Sequence, residues 1–348
     1  MLKTKENSNR IKSVFKALSG YSFVLIFIVL FFIYYLCSSS LTWTGVTNIF
    51  RHSAVIGIIS FGMGLVIISG EIDLSVGSAL AFVGGTAIMV FNMTNNVLIT
   101  LLFTLFCGIV CGFINGILIG KAKMPAFIVT LATMLIYRSV IQYVCNNISK
   151  VLSGGGNNLF KMTSSDKKDI LFNFGNAKLL TLPMVGIFLI LITVIVVYMT
   201  TCTKFGKRIF AVGSNEKAAK LAGVNTEWLI VTVFTLSGLL VGVAAFLWIC
   251  MNGSVDPSST GRSYEMYSIA AVVLGGISMS GGKGRCIGII FGALSYTVID
   301  KIIAVINVDS LINDAIKGSI LIIAILSQTM GPVVRSKTTT RSKESNRT

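Results

Sequence analysis

From Asp73 to Lys121 the chain reads DLSVGSALAFVGGTAIMVFNMTNNVLITLLFTLFCGIVCGFINGILIGK, with no charged residue between its ends. A helix needs about 20 mostly apolar residues to cross roughly 30 Å of hydrocarbon. The interval therefore holds two spans, broken only near Asn92–Asn96, where polar turn-forming residues cluster. Two such spans in tandem predict a polytopic helical membrane protein.

The same charge-free reading extends in both directions. Upstream lie Tyr21–Cys37 and, between Arg51 and Glu71, about Ser53–Ser69. Downstream come Ala126–Val144 with Arg138 inside it, Leu182–Met199, Trp228–Met251 and the short Met266–Met279. Cys286–Val305, with Asp300 and Lys301 near its far end, and Ile312–Met330 complete the series. The expectation is an all-α protein of about ten transmembrane helices, with residues 21–330 as a single membrane domain. Composition agrees: 54% of the 348 residues are apolar, 12% are charged, and mean hydropathy is +0.84. A soluble chain carries about twice that charge. A nucleic-acid binder is excluded in the same way, despite a net charge of +16.

Lysine and arginine set the orientation. An even number of spans puts the basic tails, 1–20 and 331–348, on one side, together with Lys121, Lys123, Lys283, Arg285 and the loop 203–227. That side holds 19 of the 29 basic residues, so both termini are expected in the cytoplasm, and the loop 145–178 outside. The first apolar run, at 17 residues, exceeds a usual signal-peptide h-region and is read as retained.

Chemistry is sparse. The seven cysteines fall mostly in spans or at their ends, and Cys107 and Cys111, one helical turn apart, have no histidine or carboxylate beside them. The one histidine, His52, stands alone. No catalytic cluster, metal set or cofactor motif is expected, and residues 280–285 lack the spacing of a phosphate loop. An ion-coupled transporter would need carboxylates at mid-span, and none is evident. If the protein moves solute uphill, another chain supplies the energy.

Three sets of residues stand out. Gly70–Ser78 places Glu71 and Asp73 in the tightest connection of the chain, with Asp73 or Ser75 able to cap the next helix. It is either a structural turn or part of a solute path, together with Asn115 and Thr130 inside later spans. A faint echo recurs at residues 275–282. In the loop 203–227, Asn215 can cap a short helix Glu216–Ala222 that Gly223 ends. Its small alanine face is either solvated or a seat for a partner. Arg138 and Lys317 lie in or near spans, and Lys317 is placed to pair with Asp314 at i, i+3.

Gly70-Glu71-Ile72-Asp73-Leu74-Ser75-Val76-Gly77-Ser78 resembles the G-G-I-D-L-S-V-G-S signature of ribose-type sugar permeases of bacterial ABC importers. The resemblance continues through Asn115-Gly116, Pro125–Met134, Thr203–Glu216, Ala218-Ala219 to Ala222-Gly223-Val224, Tyr264-Glu265 and Ile269–Arg285, covering about Ser53 to Met330 in order. Two positions depart from it: Glu71 replaces a glycine, and Tyr267 replaces the aspartate of a Tyr-Glu-Leu-Asp run. The resemblance implies an inner-membrane permease for a ribose-like sugar, with no enzymatic activity of its own. It implies an ABC ATPase beneath, an extracytoplasmic sugar-binding protein above, and a second permease copy in the bilayer. It also implies a coupling helix contacting the ATPase through Asn215, Glu216, Ala219 and Gly223. Importers of an autoinducer-2-like furanose look similar.

Overall fold

The computed structural model describes residues 22–38, 42–155, 158–306, 312–320, 322–323 and 326. The tails 1–20 and 331–348, and most of the far half of 312–330, lie outside these. Helix α1 spans Ser22–Cys37, α2 Trp43–Ile68, α3 Val76–Thr94, and α4 Val97–Gly116, which runs into a π-helical turn Ile117–Lys121. Then follow α5 Ala126–Asn147, α6 Asp166–Asn176, α7 Met184–Cys202, α8 Lys204–Ser214 and α9 Glu216–Leu221. The series closes with α10 Thr226–Asn252, α11 Tyr264–Leu274, α12 Ile287–Val305, and a helical stretch over 312–320, here α13. Among the described residues the strands form two short antiparallel pairs, Phe160–Lys161 with Ser254–Val255 and Lys178–Leu179 with Leu182–Pro183.

Among the described residues seven helices are long and apolar enough to cross a membrane: α2, α3, α4 with its π turn, α5, α7, α10 and α12. The count falls short of the ten expected for identifiable reasons. Helix α1 has 16 residues and α11 has 11, about 24 and 17 Å at 1.5 Å per residue. The apolar run Met266–Met279 is not one helix. Gly276, at φ +82°, ends α11, and the Ile277 amide turns back to the Val272 carbonyl at 3.2 Å. Asparagines break the opening stretch as expected: Asn95 ends α3 in a left-handed conformation and Asn96 caps α4.

Hydropathy does not track burial. Helix α4 is the most apolar span, at 2.7, yet only 28% of it is buried; α2, at 1.7, is 89% buried. Lipid is as apolar as leucine, so the outer helix can be uniformly greasy. The central helix carries the glycines and hydroxyls that let neighbours approach, and Ser53 on α2 donates to Thr297 on α12 at 3.0 Å.

Helices α4 and α10 lie backbone against backbone. Gly108, Gly112, Gly116 and Gly120 recur every four residues, facing Gly238 and Gly242, the Phe234 carbonyl, Val231 and the Glu227 carbonyl. A Cβ at Gly116 would stand 2.9 Å from Val231 Cα, and one at Gly120 2.6 Å from the Glu227 carbonyl oxygen. Four residues overshoot one α-helical turn, and the wider π turn brings Gly120 back onto the contact face.

Candidate coupling face and buried polar network

At one end of the bundle three segments distant in sequence meet without side chains between them. A Cβ on Gly213, near the end of α8, would overlap the Ile68 carbonyl that closes α2. That carbonyl accepts the Gly282 amide at 2.9 Å, and Ser214 Oγ donates to the Gly282 carbonyl at 3.3 Å. Gly281 fits beneath Gly70, whose Cα would stand 3.0 Å from an added Cβ. The two echoing turns thus close their helices in the same way. Gly70 bonds back to Ile67 and Glu71 to Val66; Gly276 bonds to Val273 and Ile277 to Val272. Each is a Schellman ending, which requires a residue at positive φ, here Gly70 at +94° and Gly276 at +82°.

The loop 203–227 builds on this junction. Thr203 caps α8, which buries Gly206, Ile209 and Val212 and turns Lys204, Lys207 and Arg208 outward. Asn215 Oδ1 accepts the Ala218 amide at 3.0 Å and so starts α9. Gly223, at φ +81°, ends it with the same Schellman pair, to Lys220 and Ala219. Asn215, Glu216 and Gly223 are exposed. Ala219 is not: it is 5% exposed and faces into the chain, so it seats α9 on the bundle and offers no surface to a partner. The exposed apolar residue is Leu221, at 90%. Sequence reasoning passed over it, because a leucine in a predicted helix is ordinarily assigned inward. The signal lay in the chain: Leu221 is two residues from Ala219 and so on the other side of a helix.

Glu71, Asp73, Ser75, Asn115 and Thr130 come together just inside this end. Asp73 is 3% exposed, and its Oδ1 accepts the Ser75 amide at 2.9 Å and the Ser75 hydroxyl at 2.6 Å. Asn115 Nδ2 donates to Ser75 Oγ at 3.0 Å. Thr130 Oγ1 donates to Ala126 at 2.8 Å and reaches the Ile72 carbonyl at 3.4 Å. Ser75 occupies the cap position of α3 but makes no side-chain cap bond, being held by Asp73 and Asn115 instead. Asn115 stands six residues before Lys121, about 9 Å inside the helix end. Glu71 lies on the junction side, where burial first, and then the negative charge of Glu216, raise its pKa above the ordinary carboxyl value.

Two further side chains find partners by tertiary contact. Arg138 donates to the carbonyls of Pro257 at 2.8 Å and Thr260 at 2.7 Å, tying α5 to the segment before α11. Lys317 does not take Asp314, one turn away. Its Nζ pairs with Asp300 of α12 at 2.8 Å, while Asp314 accepts from the Tyr267 hydroxyl at 3.0 Å. A cross-helix partner packed against Lys317 wins over a neighbour on its own exposed face.

Residues 45–325 match the family described as branched-chain amino acid transport system / permease component. The chain is 37% identical over 305 residues to the ribose import permease protein RbsC of Bacillus subtilis (strain 168), covering 87% of this chain and 90% of that protein. It is 32% identical to the ribose import permease protein RbsC of Escherichia coli (strain K12), over 80% of this chain and 84% of the relative. It is 29% identical to the xylose transport system permease protein XylH of Escherichia coli (strain K12), over 86% and 88%. No solved structure matches the chain. The chain belongs to this family of inner-membrane permease components, a transport subunit and not an enzyme, with ATP hydrolysis carried by a separate chain.

Proposed function

We propose that this chain forms the membrane path of an ATP-driven importer for a small sugar such as a pentose. A binding protein delivers the sugar outside, an ABC ATPase docks inside, and two copies of the chain enclose the path. Ten spans complete the bundle, with both termini cytoplasmic, α1, α11 and the segment 312–330 adding to the seven long helices. The junction end, with α8 and α9, is then the cytoplasmic face, as its lysines and arginines favour. Asn215, Glu216, Leu221 and Gly223 face the ATPase, and Ala219 positions them. Asp73, Ser75, Asn115 and Thr130 act as a gate hinge behind that face, and not as sugar ligands.

One observation carries the coupling assignment: α9 follows directly on α8, whose end meets the end of α2 and the turn after α11 through Gly70, Gly213, Gly281 and Gly282, with Ser214 bonded across to Gly282. A push on α9 passes through α8 to two helix endings in near backbone contact. The test is reconstitution with the ATPase and the binding protein. Gly223→Trp adds bulk at a position where a Cβ meets nothing within 4 Å, so the fold survives apart from backbone strain of about 1–2 kcal/mol. Sugar uptake and sugar-stimulated ATP hydrolysis should both collapse. If both persist, α9 is not the coupling element.

A further inference from the structure

Midway along α12 a cavity of about 150 Å³ opens between α11, α12 and α13, apart from the coupling face and the Asp73 network. Its wall carries Tyr267 and Ala270, Tyr296, and Asp314 and Lys317. Tyr296 is the tenth of the 19 residues of α12, so the cavity lies roughly 13 Å from either helix end, at membrane depth. Ionisable groups at that depth face protein or water and mark function more often than packing. Asp314 and Met266 are exposed at the rim.

Most of the polar groups already have partners. Lys317 is paired with Asp300 and lies 4.7 Å from the Tyr267 ring centroid and 5.7 Å from that of Tyr296. Tyr267 donates to Asp314. One group is left over. Tyr296 is 2% exposed, and its hydroxyl makes no hydrogen bond of ordinary geometry among the described residues. A site that needed only packing is served by phenylalanine, because an unpartnered buried hydroxyl is destabilising.

The size and the chemistry of the wall limit the occupant. A cavity of roughly 150 Å³ holds one benzene-sized ring. An anion would meet the Asp314 carboxylate, and a cation would meet Lys317. A neutral ring with several hydroxyls suits all of them: its C–H face lies against the tyrosine rings while its hydroxyls reach carboxylate, ammonium and phenol. We propose that this cavity is a subsite for one neutral monosaccharide within the permease, with the Tyr296 hydroxyl bonded to a sugar hydroxyl. The inference rests on the sugar-import reading above.

The test uses the full chain in lipid nanodiscs, with ligand-observed saturation-transfer NMR and ribose, xylose and sucrose as probes. Weak, saturable binding of the pentoses is expected, and none of sucrose, which is too large. Tyr296→Phe removes only the unpartnered oxygen, keeps the fold, and should weaken pentose binding about five-fold, the worth of one hydrogen bond. Ala270→Phe fills the cavity and should abolish binding; if it fails to fold, Tyr296→Phe alone decides. No saturable pentose binding, or equal binding by wild type and Tyr296→Phe, overturns the proposal. Uptake by the reconstituted importer separates the two readings. Sugar uptake with identical KM and Vmax in wild type and Tyr296→Phe overturns the subsite and leaves import standing. No sugar uptake by wild type overturns the import reading itself.

Discussion

Two polar clusters sit inside this bundle, and they are built in opposite ways. Around Asp73 the Ser75 amide and hydroxyl converge on one carboxylate oxygen with the Asn115 amide behind, whose own buried Oδ1 has no partner among the described residues. Around Tyr296 charged groups pair across helices, yet a cavity and an unpartnered hydroxyl remain. Burial alone does not separate them, since Asp73 and Tyr296 are both almost wholly enclosed. Nor does completeness, since each cluster keeps an unpartnered buried atom, Asn115 Oδ1 in one and the Tyr296 hydroxyl in the other. The difference is space: the Asp73 cluster is tied within its own turn and to the helix beside it, while the Tyr296 cluster opens on a cavity of about 150 Å³ that leaves room for something else.

Mutations can break that contrast or sharpen it. The largest effect is expected from Asp73→Ala, which strips the acceptor from two buried donors and should lower stability by about 3 kcal/mol, measured by thermal unfolding in detergent. An unchanged Tm would mean the closed cluster holds nothing. Next is Lys317→Met in the open cluster. It leaves the buried Asp300 Oδ1 without its ammonium, although the rest of that side chain is 34% exposed, and should cost about 2 kcal/mol. A loss equal to that of Asp73→Ala would erase the distinction between the clusters.

The smallest effect is a gain. Burial and the charge of Glu216 raise the pKa of Glu71 above its ordinary 4.5, so the folded chain holds this proton more tightly than the unfolded chain. Ionising Glu71 therefore costs stability as pH rises through and above the ordinary carboxyl value. Glu71→Gln should raise Tm near neutral pH, and the gain should vanish below the ordinary carboxyl value. A gain independent of pH would place its cause elsewhere than in this charge.

Much of the architecture was legible in composition, because hydrocarbon excludes charge and each long uncharged interval is a span. Where that rule misled, the reason is local. Apolar residues continue from Met266 to Met279, but apolarity does not register that Gly276 turns the backbone out of the helix. The polar set was legible as residue types, Asp73, Ser75, Asn115 and Thr130; Asp73 and Ser75 bond within their own turn, while the Asn115 bond to Ser75 and the reach of Thr130 to the Ile72 carbonyl depend on helix pairing. The Lys317 pairing went astray for a related reason. Spacing along one helix favours Asp314, and only the packing of α13 against α12 brings Asp300 closer. The glycine junction was the least legible, since residues 70, 213 and 282 meet from parts of the chain far apart in sequence.

The contact between α4 and α10 also has a genetic consequence. Every single-base change in a glycine codon that alters the amino acid adds at least a Cβ, and along this row each added carbon enters the backbone of the facing helix. Such a seam cannot drift by small steps, because its first step is already a clash. Its divergence requires paired changes that part the two helices together, so the row should outlast the greasy outer face of α4, where one apolar residue exchanges freely for another.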